Sequence, residues 1–191
     1  FFIKALVKLH DNEKERNPKK GLHYLKVSSE NGNSFSSLLL GLMHESGDGV
    51  ERDFDKAKFY YERSSTQGNS SGYHLIGRCY DNGFLIKQDY HKAFEYYQKS
   101  ADLGNSNALL NIGYLYKNGR GVEQDYSKAL EYFQKSADLG NSAAFNQIGS
   151  LYINGQGVKR DYSKALEYFQ KSADLGNSNA LLNIGYLYKN G

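Results

Sequence analysis

The chain has 191 residues with 24 Lys or Arg against 21 Asp or Glu, a formal charge of +3 and a mean hydropathy of -0.69. Its 17 Tyr and 10 Phe carry more apolar contact area than a disordered chain holds, and no apolar run nears the roughly 20 residues that span a bilayer, so a folded domain with a polar surface is expected and membrane insertion of this segment is not. The charges are spread along the chain rather than gathered into the basic stripe that releases counterions from a phosphate backbone, which argues against a nucleic-acid ligand.

A period of 36 residues organises the chain: it reads YHKAFEYYQKSADLGNSNALLNIGYLYKNGRGVEQD from Tyr90 and YSKALEYFQKSADLGNSAAFNQIGSLYINGQGVKRD from Tyr126, without insertion or deletion. In chain order this gives a partial unit over residues 1–17, repeats at 18–53, 54–89, 90–125 and 126–161, and a second partial unit at 162–191, expected to form one continuous solenoid. Phe1 is no natural start and Gly191 falls inside a loop, so the segment reads as a stretch of a longer protein.

Each repeat predicts two helices. Asp125 is placed to cap the first, where YSKALEYFQKSADL sets Ala129, Tyr132, Phe133 and Ser136 on one face. Gly140 stops it, and Asn141-Ser142 opens the second, whose apolar stripe in the preceding repeat is Ala108, Ile112, Leu115 and Tyr116. Gly41, Gly77, Gly113, Gly149 and Gly185 recur inside the second helices, where Gly costs roughly 1 kcal/mol against Ala, so close approach of a neighbouring helix is expected there. Turns are predicted near Gly32, Gly68, Gly104, Gly140 and Gly176 within repeats and near Gly47, Gly83, Gly119 and Gly155 between them, with Val122 dropping toward the core. Helices this short are marginal alone, so the pairs must stack into an all-α superhelical solenoid of antiparallel helix pairs. The register Tyr24, Tyr60, Tyr96, Tyr132 and Tyr168 reads as a repeated packing aromatic. Apolar ends around Phe1, Phe2, Leu181, Ile184 and Leu187 predict fraying and self-association.

The phrases GRGVEQDYSKALEYFQKSADLGNSAA and NALLNIGYLYKNGRGV resemble the Sel-1-like repeat subclass of the tetratricopeptide-like superfamily, through Gly119, Gly121, Val122, Asp125, Lys128, Ala129, Tyr132, Ala137, Gly140, Ala144 and Gly149. That resemblance implies a right-handed α-α superhelix whose members act as adaptors in signalling, endoplasmic-reticulum quality control and pathogen contact with host cells. The chain departs from the pattern at Leu85, which replaces the second loop glycine, and at Gly21, which replaces a helix alanine; Pro18 behind Asn17 reads as a first-turn proline. Ser100, Ser136 and Ser172 stand where the family often has Ala, with a hydroxyl expected to bond back to its own helix. The single Cys79 sets the chain apart from the cysteine-rich bacterial members and fits a reducing, cytoplasmic compartment.

Little in the chain points to catalysis, to a cofactor or to a metal. His44 aligns with Tyr80, Tyr116 and Tyr152, and His74 with Leu38 and Leu110, which gives both packing roles; His23 and His91 fall at variable surface positions, and His10 lies in a degraded unit. No His-x-x-x-His or paired Cys spacing occurs. Gly119-Arg120-Gly121 follows a helix, unlike a dinucleotide fingerprint, and Glu131 and Asp138 read as solvated helix surface. The expectation is a non-enzymatic protein-protein interaction scaffold or adaptor for a protein or peptide partner; the alternative is the regulatory or targeting arm of a larger enzyme such as a protein kinase.

On such a scaffold the partner surface is expected on the first helices, away from the buried stripe. That face carries Lys19, His23 and Lys26, then Asp55, Phe59 and Glu62, then His91, Glu95 and Gln98. It continues through Ser127, Glu131 and Gln134. Phe59 is the aromatic exception on an otherwise polar face and the expected anchor.

Overall fold

A computed structural model of the chain describes residues 18–83 and 86–190. The partial unit 1–17 with Phe1, Phe2, His10 and Asn17, and the loop position Leu85, lie outside the described residues. Among the described residues there are ten helices and no strand. In order they are α1 (Pro18–Glu30), α2 (Ser34–Ser46), α3 (Phe54–Thr66), α4 (Ser71–Asn82), α5 (Tyr90–Asp102), α6 (Ser106–Asn118), α7 (Tyr126–Asp138), α8 (Ser142–Asn154), α9 (Tyr162–Asp174) and α10 (Ser178–Asn190). The chain divides into two compact units, Phe1–Gly104 and Asn105–Gly191.

Local chemistry sets the helix boundaries. Asp53, Asp89, Asp125 and Asp161 sit in extended backbone, and each carboxylate accepts the N–H of the lysine three residues on, which satisfies one of the orphan donors of the first turn. Asn33 and Asn105 cap α2 and α6 in the same way, accepting the Ser36 and Ala108 amides, and Asn141 caps α8 by accepting the amide of Ala143, two residues on. The second helices end where Gly47, Gly83, Gly119 and Gly155 turn left-handed, so the expected turn positions are the observed ones.

Packing within each unit follows one rule: the second helix of a repeat lies against the first helix of the next, α2 on α3 and α4 on α5 in one unit, α6 on α7 and α8 on α9 in the other. Tyr61, Tyr97, Phe133 and Phe169 fill the centre of these contacts and are fully buried. Each ring lies over a mid-helix glycine: a Cβ on Gly41 would meet the Tyr61 ring at 2.4 Å, and one on Gly113 would meet the Phe133 ring at 2.5 Å. The glycines that cost helix propensity are what lets an aromatic ring reach the neighbouring backbone. Cys79 is buried at the column that holds Met43, Leu115 and Leu151, so it packs as a core residue.

Beside this core runs the tyrosine register. His44, Tyr80, Tyr116 and Tyr152 on the second helices stack nearly parallel on Tyr60, Tyr96, Tyr132 and Tyr168, with centroids 5.6–5.7 Å apart. Lysines close the stacks from both sides, for example Lys128 at 5.3 Å over Tyr116 and Lys135 at 5.1 Å over Tyr132. His44 is thus a buried packing ring; its Nδ1 donates to the Glu51 carbonyl oxygen at 3.1 Å.

Two expectations need correction. The hydroxyls of Ser100, Ser136 and Ser172 do not bond back to their own helices: they donate to the carbonyl oxygens of Ser70, Ser106 and Ser142, 2.6–2.7 Å away, and Ser64 donates likewise to Ser34. These serines are fully buried beside the opening turn of the preceding second helix, so a carbonyl 30 residues back lies within reach. The apolar end is also redistributed. Leu181 is exposed, but Ile184 and Leu187 turn inward toward Ala165 and Phe169 on α9, and the residues left facing water are Leu182, Tyr186 and Tyr188.

Candidate interaction surface

The first-helix residues singled out from spacing do lie on the outer side of their helices. Lys19, His23, Lys26, Asp55, His91 and Glu95 are exposed, and Phe59 is 54% exposed although it is a large aromatic. The structure brings only part of this set together. Lys26, Asp55 and Phe59 line one open cavity of about 670 Å³, which reaches from α1 to α3. Its inner wall is Tyr60 and His44, and its rim is closed by Asp53 and Lys56. The Phe59 and Tyr60 rings meet in a T-shaped contact with centroids 5.2 Å apart, so Tyr60 supports the outer ring on one side while more than half of it stays in water.

Two of the expected residues already have partners within the chain. Glu62 accepts a hydrogen bond of 3.0 Å from the Tyr96 hydroxyl and lies 4.0 Å from Lys58, which makes it a strut between α3 and α5. Gln98 donates to Asp102 four residues on, at 2.7 Å, as Gln134 and Gln170 do to Asp138 and Asp174. His91 and Glu95 lie on α5, outside the cavity lining. Spacing alone missed His44, Tyr60, Asp53 and Lys56. The clue was the histidine that interrupts a tyrosine column next to the one phenylalanine on the outer face.

The electrostatics of the cavity are asymmetric. Lys56 is tied to Asp53 at 2.9 Å, and the Lys56 amide donates to the same carboxylate. That backbone donor, with the ammonium next, holds the Asp53 carboxyl below the usual range, and Asp53 in turn raises Lys56. Lys26 and Asp55 have no ion pair with any described residue and enter the lining from different helices, α1 and α3. In the second unit a smaller groove of about 360 Å³ lies between α7 and α9, and there Glu131, at the Phe59 position, is neutralised by Lys135 at 2.6 Å.

A second feature unforeseen from the sequence lies under the first unit's core. The Tyr61 hydroxyl donates to the Glu45 carboxylate, with Arg78 3.8 Å from it, and the Tyr97 hydroxyl donates to Asp81 at 3.0 Å. In the next two repeats the corresponding positions hold Phe133 with Lys117 and Phe169 with Ile153. The hydroxyl and the carboxylate appear and disappear together. Burial, then the carboxylate beside it, pushes the Tyr61 hydroxyl far above the ordinary tyrosine range, so it remains a donor.

Among the described residues no group of three His, Cys, Asp or Glu is placed to hold a metal ion, and no helix is long and apolar enough to cross a membrane.

Comparison with known proteins agrees with the architecture. The fold matches a protective antigen of uropathogenic Escherichia coli with an SLR fold at 28% identity and a TM-score of 0.84, over 97% of this chain and 40% of that one. This chain thus spans less than half of that protein. A Sel1 repeat protein from Oxalobacter formigenes matches at 27% identity with a TM-score of 0.84, over 97% of this chain and 76% of that one. An immunity protein from Pseudomonas aeruginosa, Pa5087, matches at 25% identity with a TM-score of 0.59, over 94% of this chain and 66% of that one. No curated protein matches the chain significantly. The family model described as Sel1 repeat matches residues 9–33, 34–69, 70–105, 106–141, 143–177 and 178–191, and the chain belongs to the Sel1 repeat family, whose solenoid proteins serve in general as protein-protein interaction scaffolds.

Proposed function

We propose that this chain is an interaction scaffold that receives a protein or peptide partner on the outer face of α1, α3 and α5, with Phe59 as the anchor. The observation that carries the reading is Phe59 itself: a 54% exposed aromatic ring beside a cavity of about 670 Å³, on a face otherwise made of charged and polar groups. Solenoid stacking uses the opposite side of each first helix, so this face can change without disturbing the core. Exposed aromatics that become buried in a complex carry a disproportionate share of its binding energy.

The test is capture of a partner with the 191-residue chain as bait, followed by titration of that partner against two variants. Phe59→Ala is expected to weaken binding by roughly 30-fold, about 2 kcal/mol, with an unchanged circular-dichroism spectrum. Glu131→Ala changes the affinity less than about twofold, because its partner Lys135 is a surface lysine. Unchanged affinity for Phe59→Ala, or an unfolded variant, refutes the placement.

A further inference from the structure

We infer that the cavity beside Phe59 takes an acidic peptide segment built around one large apolar side chain, with its acidic residues lying along α1. The inference rests on the docking reading above and adds the chemistry of the partner. Its basis is the difference in charge between equivalent helix edges. On α1 the outer edge is Lys19, His23 and Lys26, one above the other at i, i+4 and i+7, and all three are exposed. Glu30 is the single acid of that helix and lies a turn beyond Lys26, at its C-terminal end. Neither Lys19 nor Lys26 is paired with a described residue. The same edge on α7 and α9 offers no such cations: Glu131 and Glu167 occupy it and are paired with Lys135 and Lys171 at 2.6 and 2.7 Å. Among the described first helices, a cationic edge that no described carboxylate neutralises is therefore found on α1, and it borders a cavity with an exposed aromatic ring.

The cavity orients what enters it. Lys26 comes from α1 and Asp55 from α3, neither paired with a described residue, and Phe59 and Tyr60 line the same cavity. A peptide carboxylate is favoured at Lys26 and disfavoured at Asp55, so the acidic flank runs toward Lys19 and away from α3. An apolar side chain between the two charges would be covered by the rings of Phe59 and Tyr60, where water exclusion strengthens the flanking ion pair. A nucleic acid meets a poorer surface, because Asp55, Asp53 and Glu30 would face its phosphates from the cavity walls and the end of α1.

The experiment is selection of a random 12-residue peptide library on the 191-residue chain, with the Phe59→Ala chain as counter-selection. Peptides that depend on Phe59 are expected to pair Asp or Glu with an adjacent Phe, Leu or Trp. A synthetic selected peptide should then bind at least tenfold more weakly to the Lys19→Glu, Lys26→Glu double variant, and also to Lys26→Gln, whose milder change keeps the test valid if the reversal disturbs α1. Raising salt from about 50 to 300 mM should weaken binding, since exposed pairs are screened over roughly 10 Å or less. Peptides that depend on Phe59 but lack an acidic bias overturn this inference and leave the docking surface standing. Peptides indifferent to Phe59→Ala overturn both, and displacement of the peptide by a 20-nucleotide single-stranded RNA shows that the basic edge reads phosphate instead.

Discussion

Replacing Gly113 by Ala should destabilise the chain, although helix propensity alone says the opposite. Ala is favoured over Gly in a helix interior by roughly 1 kcal/mol, and α6 is a regular helix of 13 residues. A Cβ at Gly113 would, however, stand 2.5 Å from both Cδ1 and Cε1 of Phe133 and 3.1 Å from Cζ. Carbon atoms at rest sit about 3.5–4.0 Å apart, so the ring must retreat by about 1 Å. Phe133 is fully buried among Ala129, Ala144 and Ile148, and overpacking of such a site costs about 1–3 kcal/mol. The clash wins, and Gly113→Ala is expected to lose about 1–2 kcal/mol in urea unfolding. The chain contains its own control. The sequence of α10, SNALLNIGYLYKN, is that of α6, yet a Cβ at Gly185 meets nothing within 4 Å. Gly185→Ala should therefore leave stability unchanged or raise it by up to about 1 kcal/mol. Two variants with the same sign would refute the argument that the ring, and not the helix, requires the glycine.

Three further outcomes follow from the geometry. Ser136→Ala removes a fully buried hydroxyl that donates 2.7 Å to the Ser106 carbonyl, and should cost about 1 kcal/mol; a neutral result in urea unfolding would mean that the hydroxyl serves only as volume. Tyr61→Phe should strand the Glu45 carboxylate and cost about 1.5–3 kcal/mol, while Tyr61→Phe combined with Glu45→Ile, the pairing found at Phe169 and Ile153, should recover most of it in a double-mutant cycle. Burial, aided by Arg78, lowers His74 from its ordinary 6.5 to about 4. The unfolded chain therefore binds the extra proton between those values, and His74 stability is present above pH 6.5 and is lost as the pH falls toward 4. His74→Leu, matching Leu38 and Leu110, should flatten that slope by about 1–2 kcal/mol in unfolding measured from pH 7 to 4, and an unchanged slope would refute the assignment.

The helices, their caps and their turns were legible because each is set by chemistry within a few residues. Asp125 and the Lys128 amide are three residues apart, and the left-handed turn at Gly119 needs no distant partner. The tyrosine stack and the ring-over-glycine contacts were half legible. A recurring Tyr or Gly announces that something packs there, but only the fold shows that Tyr132 meets Tyr116 and Gly113 meets Phe133. The serine hydroxyls escaped because a local acceptor and one 30 residues away are equally consistent with spacing. The Tyr61–Glu45 pair escaped for the same reason, although the two columns change together down the chain. On the outer face, Phe59 stood out as an anomaly of residue type, whereas its cavity is made by His44, Tyr60 and Lys26 from three different helices, which no single-helix periodicity brings together.

The repeats divide their positions between two duties, and this division is what lets a binding surface sit on a solenoid at little cost to its stability. The column of Ala57, Ala93, Ala129 and Ala165 and the column of Leu40, Ile76, Ile112 and Ile148 are fully buried and change little, with Gly21 the one small substitution among them. The outer column goes from His23 to Phe59 and then to Glu95, Glu131 and Glu167, while each of these helices keeps its 13 residues. In the later repeats that column is settled by ion pairs with lysines on the same helix, Lys135 and Lys171, so the fold has already satisfied it. On α1 and α3 the outer face keeps Lys19 and Lys26, which pair with no described residue, and the exposed Phe59 ring. Exposed apolar area and uncommitted charge do nothing for stacking, since the buried face of each helix is complete without them. Their coincidence at one cavity is the observation on which the proposed docking surface rests.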